Sequence, residues 1–117
     1  MISKEILSEV LDLDVIAMSG EVNNELKYYL DESCGKKVPR ERKINIYELT
    51  HLCKDFIIDK GYIPTVTTFS NKTVGILIKN INDRTKEEWF SSSNEPETVF
   101  KATKYIYNVI KRVSNEN

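Results

Sequence analysis

Apolar residues recur along the chain with two different periods, and each change of period marks a new element. Ser3 can cap a helix, with Ile2 just outside it and Leu7 one turn in as a hydrophobic staple, and Ile6, Leu7, Val10 and Leu11 then share one helical face. After Asp14 the pattern becomes a short apolar run from Val15 to Met18, the turn-rich SGEVNN, and ELKYYL, in which Leu26, Tyr28 and Leu30 alternate. This change from a helical to a two-residue period predicts a hairpin. The stretch 31–43 is polar, holds Gly35 and Pro39 and has no period, which predicts a long loop.

A second helix starts at Asn45, where Glu48 completes a capping box and Ile44 can staple onto Leu49, and it stops at Gly61. Projected at about 100° per residue, Ile46, Leu49, Cys53, Phe56 and Ile57 fall on one side, and Tyr47, His51, Lys54 and Ile58 on the other. Two β-branched stretches follow, IPTVTTFS and TVGILIKN, joined by a Ser-Asn-Lys turn, with Pro64 suited to a strand start or an edge. A turn at Asn82 to Arg84 leads to EEWFS, a fifth strand. The last helix opens at NEPE, with Asn94 as cap and Glu97 answering it, and turns Val99, Ala102, Ile106, Ile110 and Val113 inward. These elements predict an α+β fold in the order αββαββ(β)α, a mainly antiparallel sheet of four to five strands, two hairpins among them, packed with three helices. The expected organisation is one domain over 1–117, with a polar loop at 31–43 and a frayed tail at 114–117.

Composition supports one core without a staple: 117 residues, 40% hydrophobic, with 17 Lys and Arg against 18 Asp and Glu. The near-balance of charge argues against disorder. No apolar run is long enough to span a membrane, and the acidic amino-terminal stretch does not read as a signal peptide, so a cytoplasmic protein without membrane contact is expected. The two cysteines, Cys34 and Cys53, are read as free thiols, the second in the core. No Cys and His spacing suits zinc, and the four glycines form no phosphate-binding loop, so no metal or cofactor is implied.

Charge is unevenly distributed. Up to Gly35 eight acids face only Lys4 and Lys27, and Glu5, Glu9, Asp12 and Asp14 are spaced to form an acidic face that could imitate a nucleic-acid backbone. The next eight residues reverse the sign: Lys36, Lys37, Arg40, Arg42 and Lys43 could grip phosphates or an acidic partner, and Lys101, Lys104, Lys111 and Arg112 make the last helix basic. A nucleic-acid-binding accessory domain using 36–43 is the alternative this suggests.

Little points to catalysis. His51 has no nucleophile beside it, and Asp14 with Glu25 and Lys27 resembles the Mg²⁺-dependent PD-(D/E)xK nucleases only in spacing, a remote third reading. Tyr47, His51 and Ile58 make a better contact stripe than an active site, because an exposed aromatic and aliphatic pair beside an imidazole suits an interface with another protein or a second copy.

Three segments together, KEILSEVLDLDVI, INIYELTHLCKDFIIDKGY and NEPETVFKATKYI, resemble small phage and prophage proteins of the phage ABA-sandwich type. In that family a Thr-Glu-Pro-Glu-Ala-like turn opens the closing helix; here it reads Asn94, Glu95, Pro96, Glu97, Thr98. The resemblance implies a mobile-element origin and transfers no catalytic residue. It implies a non-enzymatic binding protein that inhibits a host defence factor, such as a CRISPR effector, in the manner of anti-CRISPR proteins. The expected partner is a host protein, with nucleic acid as a further partner class and the chain itself a monomer or a homodimer.

Overall fold

A computed structural model describes residues 2–30 and 40–115. Its elements run α1 (Lys4–Leu11), β1 (Val15–Val22), β2 (Glu25–Leu30), β3 (Arg40–Asn45), α2 (Ile46–Asp59), β4 (Tyr62–Thr68), β5 (Val74–Asn80), β6 (Glu87–Ser92) and α3 (Glu95–Asn115). The fold is α+β, as expected, but the strands number six among the described residues. They form two three-stranded antiparallel sheets, β1-β2-β3 and β4-β5-β6, in place of one sheet. The order αβββαβββα is thus one helix-plus-three-strands unit used twice and closed by α3.

The difference from the expected order lies in β3. Its sequence, RERKIN, has one large apolar side chain, so it carries no strand signal of its own; pairing with β2 from Glu25↔Asn45 to Leu30↔Arg40 creates it. The expected loop at 31–43 therefore ends in a strand from Arg40 onwards, while 31–39, with Cys34, lie outside the described residues. The first hairpin is also tighter than expected. Strand β1 continues through Ser19 to Val22, and only Asn23 and Asn24 turn, both at positive φ (55° and 64°), the conformation of a type I′ turn that favours Asn. The closing helix continues to Asn115, past the expected start of the frayed tail, of which 116–117 lie outside the described residues.

All three expected helix starts are present. The Ser3 hydroxyl accepts from the Ile6 amide (3.3 Å), Asn45 Oδ1 from Tyr47 (2.8 Å) and Asn94 Oδ1 from Glu97 (2.9 Å), each relieving an amide that the helix leaves unpaired. Ile6 and Leu7 of α1, the predicted five residues of α2, and Val99, Ala102 and Ile106 of α3 are buried, joined by Leu26, Tyr28 and Ile44 from one sheet and Ile76 and Ile78 from the other. Ile110, expected inward, is half-buried, and Val113, also expected inward, is 56% exposed and lines a shallow groove with Tyr62 and Glu88 of the sheet.

Helix α1 packs on β1, α2 on β4 and on α3, and α3 on β5 and β6. Each sheet thus gives one face to the helices and the other to water, in a slab 50 × 41 × 17 Å. Thr98 stitches the second half together: its buried hydroxyl lies within hydrogen-bond reach of the carbonyls of Val74 (3.1 Å) and Asn94 (2.7 Å) and of the Ser92 hydroxyl (3.0 Å).

Candidate interaction surfaces

The acidic face and the helix stripe, read separately in the sequence, meet at α2. Glu9 of α1 and Asp12, which caps its end, face Asp55 and Asp59 of α2 across a groove of about 530 Å³ whose apolar lining is Val10, Leu52 and Phe56, with Lys60 at one end. Helix geometry places Asp55 and Asp59 one turn apart, and the short α1 ends at Asp12, whose left-handed conformation (φ 54°) lets its amide donate to the Ser8 carbonyl and close the turn. Four carboxylates against one ammonium leave the groove strongly negative. Lys60 shows what such a surface holds: its Nζ lies 5.4 Å from the centre of the Phe56 ring and 3.8 Å from Asp59 Oδ2. Glu5 and Asp14 are exposed but do not line the groove, so the predicted acidic face is divided.

Along the crest of α2 beside this groove lie Tyr47 (62% exposed), His51 and Ile58 (53% exposed). The three positions span only about 40° of the helix circumference, so they form one stripe. His51 Nε2 stands 3.8 Å from Asp55 Oδ2, joining the stripe to the groove rim. On the opposite flank Lys54 pairs with Glu95 in the first turn of α3, where a carboxylate also complements the helix dipole. Asp55 and Asp59 escaped the sequence reading because their significance depends on α1 lying alongside, which no local pattern announces.

Among the described residues the basic cluster is divided between two sides of a strand. In β3, Arg40 and Arg42 alternate with Ile44 on the face that also carries Leu26, Tyr28 and Leu30, while Glu41 and Lys43 point the other way, where Lys27 Nζ pairs with Glu41 (3.4 Å). Lys36 and Lys37 lie outside the described residues. Strand alternation thus splits what a loop could have gathered.

Nor are the nuclease-like residues brought together. Asp14 precedes Val15, which pairs with Leu30, whereas Glu25 is at the other end of the same ladder, opposite Val22. Five residues at about 3.3 Å each separate those ends by roughly 16 Å, too far for one Mg²⁺. Among the described residues no group of three His, Cys, Asp or Glu side chains is placed to hold a metal. Cys53 is fully buried, and burial pushes its thiol up to about 12, with the Thr103 hydroxyl bond opposing the rise. Such a thiol is a packing group and not a nucleophile.

A further surface lies on the water-facing side of β4-β5-β6. Ile63, Leu77 and Trp89 share this face, and Phe69, just past β4, meets Trp89 edge-to-face with ring centres 5.8 Å apart. Trp89 is 47% exposed, and its indole lies over Gly75, where a Cβ would come within 2.2 Å of the ring. The signal for it was strand parity: with Ile76 and Ile78 inward, Leu77 and its partner Trp89 must point outward. Among the described residues no helix is long and apolar enough to cross a membrane.

Comparison of the chain with protein-family models, characterised proteins and solved structures finds no match.

Proposed function

We propose that this chain is a non-enzymatic protein-binding domain that docks through the outer face of its helix layer onto a basic, partly apolar segment of its partner. The observation that carries the reading is the α1/α2 groove, with Glu9, Asp12, Asp55 and Asp59 around an apolar lining and the exposed Tyr47, His51 and Ile58 beside it. A Lys or Arg entering there would find carboxylates and an aromatic face, the contacts Lys60 already makes, and its aliphatic stem would cover Leu52 and Val10. Proteins that grip nucleic-acid phosphates present such basic segments, so a surface of this kind competes with the nucleic acid for them. The resemblance to small phage proteins makes the partner class a host defence factor such as a CRISPR effector.

The test uses the chain immobilised in a bacterial lysate with identification of what it retains. The expected result is capture of a nucleic-acid-binding effector, displaced by added nucleic acid, lost on joint Asp55→Lys and Asp59→Lys substitution and kept on Lys27→Glu. Absence of such an effector, or capture indifferent to the Asp55 and Asp59 reversals, overturns the proposal.

A further inference from the structure

The last helix gathers its charge on one side. Lys101, Lys104, Asn108, Lys111 and Arg112 are all exposed and, at about 100° per residue, fall within roughly 100° of the helix circumference, opposite the buried Val99, Ala102 and Ile106. From Thr98 to Asn115 the helix holds no acid. Cations in a row repel one another, Lys101 and Lys104 most directly because they stand three residues apart, so the ridge costs the helix stability. The helix dipole offsets this only for Arg112, in the last turn; the three lysines lie before it.

Nor do the surroundings neutralise these cations. Among the described residues none of the four pairs with a carboxylate. Lys101 Nζ donates to the Ser91 carbonyl (3.0 Å), and Lys111 Nζ lies 5.3 Å from the centre of the Tyr107 ring, contacts that leave both charges in place. Two acids border the ridge without pairing with it. Glu97 stands one turn before Lys101, whose ammonium turns to Ser91 instead, and Glu88, which shares a groove with Arg112, accepts from the Tyr105 hydroxyl (3.5 Å).

What the ridge can hold follows from what it lacks. The centre of a protein interface is apolar, whereas the exposed aliphatic residue of α3, Val113, lies on the inward side of the helix and leaves the ridge without one. Phosphates ask only for suitably spaced cations. Between Lys101 and Arg112 the helix rises about 16 Å, a length over which a duplex presents roughly ten phosphate charges. No ring on the ridge is free to stack on an unpaired base, since Tyr107, at its margin, is half-buried with Lys111 against it.

We infer that the outer ridge of α3 binds the phosphate backbone of a nucleic-acid duplex through Lys101, Lys104, Lys111 and Arg112, without reading its sequence. Lys101 exchanges the Ser91 carbonyl for a phosphate oxygen, and the Asn108 amide, between the cations, donates to another. This inference does not rest on the function proposed above, because no residue of α3 lines the α1/α2 groove.

Fluorescence anisotropy of labelled DNA and RNA duplexes of about 20 base pairs, titrated with the intact chain at salt from about 50 to 200 mM, tests it, with polyglutamate as the probe for an acidic protein. The expected result is binding to both duplexes whatever their sequence, tighter than to a single strand of the same length. Across that salt range it weakens by roughly a hundredfold, as about four phosphate contacts require. Joint Lys104→Glu and Lys111→Glu substitution weakens binding by about tenfold or more and lowers the salt slope by about two. Lys72→Glu, the same change of charge per site on the exposed turn between β4 and β5, leaves that slope unaltered. Circular dichroism of every variant confirms that the fold is kept. The inference is overturned by no binding to either duplex, by a single strand held more tightly, by polyglutamate held as tightly as a duplex, or by a salt slope indifferent to the joint reversal.

Discussion

The two helix-plus-three-strand units share an order of elements but treat their water-facing sides differently. In the first, the exposed face of β1-β2-β3 carries Glu25, Lys27, Glu41 and Lys43, with Lys27 and Glu41 paired, beside Tyr29 and, at the turn, the exposed Val22. In the second, the corresponding face of β4-β5-β6 carries Ile63, Leu77 and Trp89, with only Lys79 and Glu87 as an ion pair at one end (3.6 Å). The inner faces obey one rule, burial against helices, and so look alike; the outer faces are free of it. A solvent-facing sheet that keeps its aromatic and aliphatic side chains presents the kind of surface that contacts favour.

The strongest way to break this comparison is to ask whether the inner faces are truly equivalent. Leu26 in the first sheet and Ile76 in the second are both fully buried, so Leu26→Ala and Ile76→Ala should each cost about 2–5 kcal/mol in denaturant unfolding. A much smaller loss in one unit would mean that its core is looser than its burial implies. The outer faces are probed by their glycines. Gly75→Val should destabilise by about 1–3 kcal/mol through collision with Trp89, and most of that loss should vanish in a Trp89→Ala background. Gly20→Val, where a Cβ meets nothing within 4 Å, should be neutral or stabilise by about 0.5–1 kcal/mol, since β1 gains a better strand former.

A weaker effect reports on the layer both units share. Because the folded Cys53 thiol is pushed up to about 12 from an ordinary 9.0, folding retains a proton that the unfolded chain releases. Its contribution is fully present below pH 9 and is lost as pH rises from there towards 12. Unfolding stability should fall less steeply across that range in Cys53→Ala than in the parent chain, although the substitution itself lowers stability at neutral pH. The smallest effect is expected on the crest of α2: Tyr47→Ala with Ile58→Ser should change stability by no more than about 0.5 kcal/mol per site. A loss of several kcal/mol without a change of oligomeric state would remove that stripe as a contact surface.

Local chemistry made the helices legible. Ser3, Asn45 and Asn94 announce starts that depend on three or four neighbouring residues, and the inward faces of α1 and α2 follow from spacing alone. Strands β4 and β5 and their turn were legible for the same reason. What stayed hidden depends on distant partners. Arg40 to Lys43 become a strand only because β2 offers its edge, and the division into two sheets follows from that pairing. The candidate site divides in the same way: Tyr47, His51 and Ile58 could be read from the helix period, whereas Asp55 and Asp59 gain meaning only from α1 across the groove.

A slab 17 Å thick also dictates how the molecule opens. It has one layer of interlocked side chains and no deeper interior behind it, so no amide is sheltered by distance from water and protection must come from pairing on both sides. Among the described strands only β2 and β5 have a neighbour on each flank. Amide hydrogen exchange should therefore be slowest along these two strands, with the edge strands alternating between slow and fast amides, residue by residue, according to which way each one points.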